Sequence, residues 1–215
     1  MRFLTRMRHF FLLVLFAVPI ILFGQHFGIR AGLGTGTLYT VDNGFDGFLP
    51  DYKYSLSYSV DFNWWGKLSD KVFLVPGLGL SGVSTTYKNP LDIQGQEQKD
   101  QRLSLLYLKS PIRMYFLFNK FMPHIGPSFG YQLYRNQKNR GNDYVYYPHN
   151  YDRKFDYGID IGVGLKFTEN IVAGINFYNG FGNIEKIECG NCASSQEEVS
   201  GVRTFELYLS YLLTK

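Results

Sequence analysis

Polar and apolar residues alternate along much of this chain with a period of two. Between Tyr52 and Trp64 every even position is aromatic or apolar, whereas every odd position is polar. A period of two is typical of a β-strand with one apolar face. The run is also longer than the common strand of about 5–6 residues in globular proteins. The segment therefore predicts an unusually long strand.

The same alternation recurs along the rest of the chain, clearly in three further segments and more weakly in four. In each segment one face is apolar and the other carries polar residues or glycine. Together the segments predict eight strands, at 26–40, 52–64, 71–86, 102–117, 121–134, 154–167, 171–182 and 204–213.

The connections between these strands alternate between short and long. Short periplasmic turns and longer external loops are the layout of bacterial outer-membrane barrels. The short connections are 66–70, 118–120 and 168–170, and the longer ones are 41–49, 87–101, 136–152 and 183–200.

Two architectures fit eight amphipathic strands, and they differ in which face is outside. A soluble, lipocalin-like barrel turns its apolar face inward. Aromatic residues such as Tyr52, Tyr54 and Trp64 gather at the ends of the apolar faces, as they do at membrane interfaces. The polar faces are also richer in glycine and serine than a soluble exterior. We therefore predict an all-β fold, a transmembrane antiparallel up-and-down β-barrel of about eight strands with both termini in the periplasm.

The N-terminus has the pattern of a secretory signal. Three arginines are followed by an apolar run over 10–23, which is short for a membrane-spanning helix of about 20 residues. We predict a signal peptide over 1–24 and a barrel domain over 25–215, with an uncleaved anchor as the alternative. The formal net charge of +4 falls to +1 without those three arginines. The net positive charge of the full chain therefore gives no support to a nucleic-acid partner.

Five segments carry a family resemblance: FGIRAGLGTG at 27–36, FLVPGLGLS at 73–81, SPIRMYF at 110–116, PHIGPSFGY at 123–131 and YGIDIGVGLKF at 157–167. Through them the sequence resembles the small outer-membrane β-barrel family called porin-like or PorT-like, and more broadly the OmpA/OmpX-type barrels. The resemblance implies architecture and a place in the outer membrane of a Gram-negative bacterium. It implies no catalytic chemistry.

Titratable residues lie on the face predicted to point inward. The lumen of an eight-stranded barrel is only wide enough for side chains to fill, and an unpaired buried charge is costly. We predict a salt-bridge network that fills the lumen, with a narrow polar conduit as the alternative, and we expect Glu206 to pair with Arg30 on the neighbouring strand. The network residues are Arg30, Lys53, Asp61, Lys109, Arg113, His124, Asp156, Asp160, Lys166 and Glu206.

Other candidate chemistry is sparse. His124 and Ser128 share a face but stand about 13 Å apart at 3.3 Å per residue, too far for a nucleophile and its base. No catalytic motif is present, so we expect no enzyme activity, no metal and no cofactor. Cys189 and Cys192 fall in an exported loop, where a disulfide is the plainest interpretation. A redox motif or half of a zinc site would need surroundings that the sequence lacks.

The third long loop is rich in tyrosine and basic residues. Tyrosine and arginine are enriched at binding hot spots, and external loops are where function varies on a rigid scaffold. We expect this loop to contact a protein partner or lipopolysaccharide phosphates, the alternative being a loop that only extends the wall. The residues are Arg135, Lys138, Arg140, Tyr144, Tyr146 and Tyr147.

The function that follows is an outer-membrane barrel with a filled lumen, in contact with outer-membrane lipids and lipopolysaccharide. Its external loops serve structural or partner-binding roles. The alternative is a narrow pore or an accessory component of an outer-membrane transport or secretion system.

Overall fold

The structure is a computed structural model that describes residues 24–40, 51–88, 101–139, 154–182, 185–188 and 196–213. Antiparallel strands make up almost all of this part of the chain. They are β1 (Gly24–Thr40), β2 (Asp51–Ser69), β3 (Val72–Lys88), β4 (Gln101–Phe116), β5 (Phe121–Asn139), β6 (Phe155–Lys166), β7 (Ile171–Gly180), β8 (Glu185–Glu188) and β9 (Gln196–Leu213).

Eight of these strands close into a barrel. Each pairs with its neighbour along the chain from β1 to β7, β9 follows β7, and β9 pairs with β1 to close the sheet. Closure leaves no free edge on the wall. The short β8 pairs only with the start of β9, through contacts such as Glu185 opposite Val199. The predicted eight-stranded antiparallel barrel is confirmed.

The apolar faces of the strands turn outward. On β2 the even positions from Tyr54 to Phe62 are 46–61% exposed, whereas the odd-numbered Ser57, Asp61 and Asn63 are at most 5% exposed. The same division holds around the wall, so polar residues line the interior. A lipocalin-like arrangement would show the reverse, and that alternative is wrong.

We call the end that carries the short turns the lower end. Asp70 and Lys71 connect β2 to β3, and Asn119 and Lys120 lie between β4 and β5. Asn119 has a φ of 58°, a left-handed conformation that asparagine tolerates in tight turns. Gly24 at the start of β1 and Leu213 at the end of β9 reach the same end.

Three strand boundaries differ from those predicted by five residues or more. β2 continues to Ser69, β5 to Asn139, and β9 begins at Gln196. The extensions of β5 and β9 are mostly polar, and that of β2 has the irregular sequence WGKLS, so the period-two alternation is lost although the backbone ladder continues. The predicted loop at 183–200 is also wrong in part, because β8 and the start of β9 form a hairpin there.

The predicted signal peptide lies outside the described residues, apart from Gly24, where β1 begins. Among the described residues, no helix has the length and apolar character needed to cross a membrane.

Candidate functional site in the barrel lumen

The lumen is filled in three layers. The lower cluster, near the short turns, is apolar and aromatic. The upper cluster, toward the other end, is also apolar. Between them lies a charged layer, centred on Asp61, Arg113 and Asp160. The lower cluster comprises Trp65, Val75, Tyr115, Met122, Val172 and Tyr208, and the upper cluster comprises Leu38, Val83, Leu103, Leu105, Tyr107, Tyr178 and Val202.

Arg113 is the hub of the charged layer. Its Nη1 donates to Asp61 Oδ2 at 2.8 Å, and its Nη2 lies 3.8 Å from Asp160 Oδ1. These residues come from β2, β4 and β6, so the contacts cross the lumen between strands that are not neighbours. The contact with Asp61 is a charge-assisted hydrogen bond, which is stronger than a neutral one. The contact with Asp160 is an ion pair without a hydrogen bond, and together the two carboxylates balance the charge of the buried guanidinium.

A hydrogen-bonded chain continues from Asp160 to His124. The Asn176 amide nitrogen donates to Asp160 Oδ1 at 2.8 Å, and its oxygen lies 2.8 Å from His124 Nε2. Because a carbonyl oxygen only accepts, His124 Nε2 carries the proton of that bond. The imidazole also stacks on Tyr115, with ring centroids 4.5 Å apart. His124 is thus held between the charged layer and the lower cluster.

Arg30 and Glu206 do not pair, and that expectation was wrong. The register places Arg30 opposite Ser210 and Gly34 opposite Glu206, a separation of about 13 Å along the strand. Arg30 instead donates to the Tyr115 hydroxyl at 3.0 Å and lies 3.7 Å above the Tyr208 ring. Aromatic faces attract cations, so the aromatic rings of the lower cluster stabilise the Arg30 guanidinium in place of the expected carboxylate.

Glu206 and Asp156 have separate partners higher in the lumen. Glu206 Oε2 accepts from the Ser59 hydroxyl at 2.7 Å. Asp156 accepts from the Tyr178 hydroxyl at 2.7 Å and from the backbone N–H of Gly182 at 3.2 Å. These bonds fix both carboxylates against the wall.

The three predicted lysines of the network differ in position. Lys109 Nζ lies 3.3 Å from the centroid of the Tyr178 ring, inside the lumen. Lys166 is half-buried near the lower end, opposite Val172 on β7, and Lys53 is exposed toward the upper end of β2. Lys53 therefore stands at the rim, outside the buried charged layer.

A small cavity remains within the charged layer. Its volume is about 20 Å³, and it is bounded in part by Ser59, Lys109, Arg113, Asn176 and Glu206. A void needs roughly 10–15 Å³ to hold one water molecule. The cavity can therefore hold about one water molecule, in contact with charged and polar groups.

Several lumen residues that hold this arrangement together were missed by the sequence analysis. Ser59, Tyr115, Asn176, Tyr178 and Tyr208 all make contacts with the predicted charges. All five lie at the alternate positions of their strands that face inward, so the period-two alternation would have found them. These residues are uncharged at neutral pH, and they stabilise the buried charges by hydrogen bonds and ring contacts.

The structure says little about the external-loop candidates. Arg135 lies near the upper end of β5 opposite Leu105, and Lys138 is opposite Arg102. The other residues fall outside the described part of the chain, so the loop contact and the disulfide stay predictions. They are Arg140, Tyr144, Tyr146, Tyr147, Cys189 and Cys192. Within the described ranges, no group of three histidine, cysteine or acidic residues could hold a metal ion.

Solved structures share this architecture at low sequence identity. The outer membrane protein OprG from Pseudomonas aeruginosa aligns with a TM-score of 0.50 and 12% identity, over 90% of this chain and 98% of OprG. Neisserial surface protein A aligns with a TM-score of 0.45 and 13% identity, over 88% of this chain and 97% of that protein. The attachment invasion locus protein Ail of Yersinia pestis aligns with a TM-score of 0.43 and 8% identity, over 87% and 98%. Such identities bear on the fold alone.

The family comparison covers most of the chain. No curated protein matches it significantly. Residues 23–186, however, match the family described as outer membrane protein beta-barrel domain. Together with the closed eight-stranded wall and its outward apolar faces, the match shows that this chain belongs to the outer-membrane β-barrel family and is a protein of the bacterial outer membrane.

Proposed function

We propose that this protein is an occluded barrel, which acts through its outer surface and external loops and does not conduct ions or solutes. The observation that carries the proposal is the filling of the lumen. Apolar clusters lie above and below the charged layer, and a cavity among the charged groups has a volume of about 20 Å³. An ion that crossed would have to leave water and displace packed side chains, which is costly.

The orientation is part of the same proposal. The short turns, the start of β1 and the end of β9 share the lower end. Outer-membrane barrels place their short turns in the periplasm and their long loops outside. This supports periplasmic termini and an upper end that faces the cell exterior.

An interaction role for the loops follows from that orientation. Basic residues occur where β5 leaves the wall, with Lys138 near the end of the strand and Arg140 just beyond it in the sequence. Arg135, by contrast, lies opposite the inward-facing Leu105, and its Nε is buried. Positive charge at this level suits contact with lipopolysaccharide phosphates or with an acidic partner surface. The rigid wall would hold such loops in place.

Conductance across planar lipid bilayers tests the proposal. We expect the refolded full-length protein to give no discrete current steps. A matched variant truncates one side chain in each layer on β4, with Leu103→Ala, Lys109→Ala and Tyr115→Ala, and we expect it to raise ion leakage. Reproducible, ion-selective steps from the unmodified protein would overturn the proposal and support the narrow-pore alternative.

A further inference from the structure

The apolar outer face of β9 ends at an arginine on its upper side. From Phe205 to Leu213 the outward positions are aromatic or aliphatic and 46–64% exposed. Arg203 is the next outward position above Phe205, and it is half-buried. It lies opposite Thr37 on β1 and Asn179 on β7, two polar residues at the same level of the wall.

The height of Arg203 on the wall is that of lipid headgroups. It lies ten positions above Leu213. At about 3.3 Å per residue and a strand tilt of about 40°, that separation spans roughly 25 Å along the membrane normal. The apolar band of an outer-membrane barrel is also about 25 Å tall. The Arg203 guanidinium therefore sits where hydrocarbon gives way to charged headgroups.

The guanidinium is held in place on two sides. Its Nε donates to Asn179 Oδ1 at 2.7 Å, and its carbon lies 3.8 Å from the centroid of the Tyr39 ring. Tyr39 is fixed in turn, because its hydroxyl donates to the Gly180 carbonyl oxygen at 2.6 Å. Tyr39 thereby reaches from β1 across β9 to β7.

Gly201 makes room for this crossing. It lies on β9 between the two anchored strands and has a φ of 134°, a conformation that favours glycine. A Cβ at this position would overlap the carbonyl oxygen of Gly180, to which the Tyr39 hydroxyl donates, and would lie 3.3 Å from Tyr39 Cε1. The absence of a side chain lets the Tyr39 ring lie over β9 and support Arg203.

The remaining donors of Arg203 point to an anionic ligand. Asn179 uses the Nε–H, which leaves the N–H groups of the two η nitrogens. Among the described residues, none accepts a hydrogen bond from those nitrogens and no carboxylate forms an ion pair with them. A planar fork of donors fits the oxygens of a phosphate in bidentate fashion.

We propose that Arg203, oriented by Asn179 and Tyr39, binds a phosphate group of an outer-leaflet lipid, namely lipid A. The proposal rests on the orientation given above, in which the upper end faces outward. It does not depend on whether the lumen is closed, so a conductance result leaves it standing.

Native mass spectrometry of the full-length barrel in detergent micelles tests this site. Diphosphorylated lipid A is titrated against the unmodified protein and against Arg203→Gln. We expect the variant to bind at least about tenfold more weakly, the effect of losing one charge-assisted contact. Arg102→Gln is the matched control, since Arg102 is exposed on the outer face of β4, and it should bind within about twofold of the unmodified protein.

Two further arms identify the source of the phosphate. Lipid A without its phosphates should bind the unmodified protein as weakly as diphosphorylated lipid A binds Arg203→Gln. Inorganic phosphate in large excess should leave lipid A bound. Competition by inorganic phosphate would assign the site to the free anion and overturn the lipid assignment. Equal binding of lipid A by the unmodified protein and Arg203→Gln would end the proposal altogether.

Folding of each variant is checked by its heat-modifiable mobility on a gel. If Arg203→Gln fails to fold, Arg203→Lys and Asn179→Ala take its place. Lysine keeps the charge but loses the planar fork, and alanine removes the support of Nε. Both should weaken lipid A binding by several-fold with the charge retained. Unchanged binding in both variants would contradict the proposed role of the guanidinium geometry.

Discussion

The charged layer and the apolar clusters fill the same lumen by different means. In the upper and lower clusters, closure depends on the shape and volume of packed side chains. In the charged layer it depends on partners, because Asp61, Arg113 and Asp160 are nearly fully buried. The clusters should therefore tolerate changes of similar volume, whereas the charged layer should tolerate no change that leaves one member unpaired.

The largest effect is expected from Asp61→Asn. It removes the negative charge that Arg113 contacts at 2.8 Å, since the asparagine oxygen can accept a hydrogen bond but is uncharged. Arg113 then keeps the 3.8 Å ion pair with Asp160. Breaking a buried pair from one side costs about 3–5 kcal/mol. Urea unfolding of the refolded barrel in lipid vesicles measures the free energy of unfolding.

A triple variant provides the control for that substitution. Asp61→Leu, Arg113→Met and Asp160→Asn together remove the three charges that contact one another and keep similar volume. Replacement of a complete buried ion pair or triad is often neutral, so the triple variant should recover most of the lost stability. If it were as unstable as Asp61→Asn, the loss would not come from an unpaired charge.

A somewhat smaller effect is expected from Leu103→Ala in the upper cluster. Leu103 is 1% exposed and packs among apolar side chains. Truncating a buried leucine costs about 3 kcal/mol through lost contacts and a residual cavity. The same urea titration applies, and a lipid-facing leucine on the same strand, Leu108, is the matched control. Lipid chains can fill the space left by Leu108→Ala, so equal losses at the two positions would contradict a packed upper cluster.

The smallest effect is expected from Asp70→Asn in the exposed turn between β2 and β3. Lys67 lies 2.7 Å from the Asp70 carboxylate, and its hydrogen bond lowers the pKa of that carboxyl. A lowered pKa stabilises the fold above the ordinary carboxyl range, and the contribution disappears as the pH falls through the folded-state value. Solvent screens this exposed pair, so the unfolding midpoint should not change at neutral pH. A clear shift that vanished on acidification would show that the exposed pair matters.

The alternation of apolar and polar residues along the strands was enough to predict the barrel and the side of the barrel wall that each residue faces. The run from Tyr52 to Trp64 indicated its outward face because each apolar residue is followed by a polar one. The same alternation failed at the strand ends, since the residues after Tyr134 are polar on both faces and those before Val202 are mostly polar. Strand pairing continues there through backbone hydrogen bonds, which do not depend on the polarity of the side chains.

The partners within the lumen were beyond the reach of the sequence. Asp61 meets Arg113 two strands away, and Arg30 meets aromatic rings in place of Glu206. Such pairings depend on the stagger of the strands around the barrel, which fixes the height at which each side chain enters. The sequence shows which charged residues face inward. Their partners depend on the strand register, which the sequence does not show.

The chain of bonds from Asp61 through Arg113, Asp160 and Asn176 to His124 has a consequence for assembly. Its members come from β2, β4, β6, β7 and β5, and most of them are far apart along the chain. Asp160 and Asn176 lie on the neighbouring strands β6 and β7, but Asp61, Arg113 and His124 meet their partners only when the sheet curls shut, so on an open sheet these three stay hydrated. Dehydration of the interior and the joining of β1 to β9 should therefore occur in a single late step. Contacts of such long sequence separation also favour slow folding, so a partly zipped sheet would be a long-lived species during insertion.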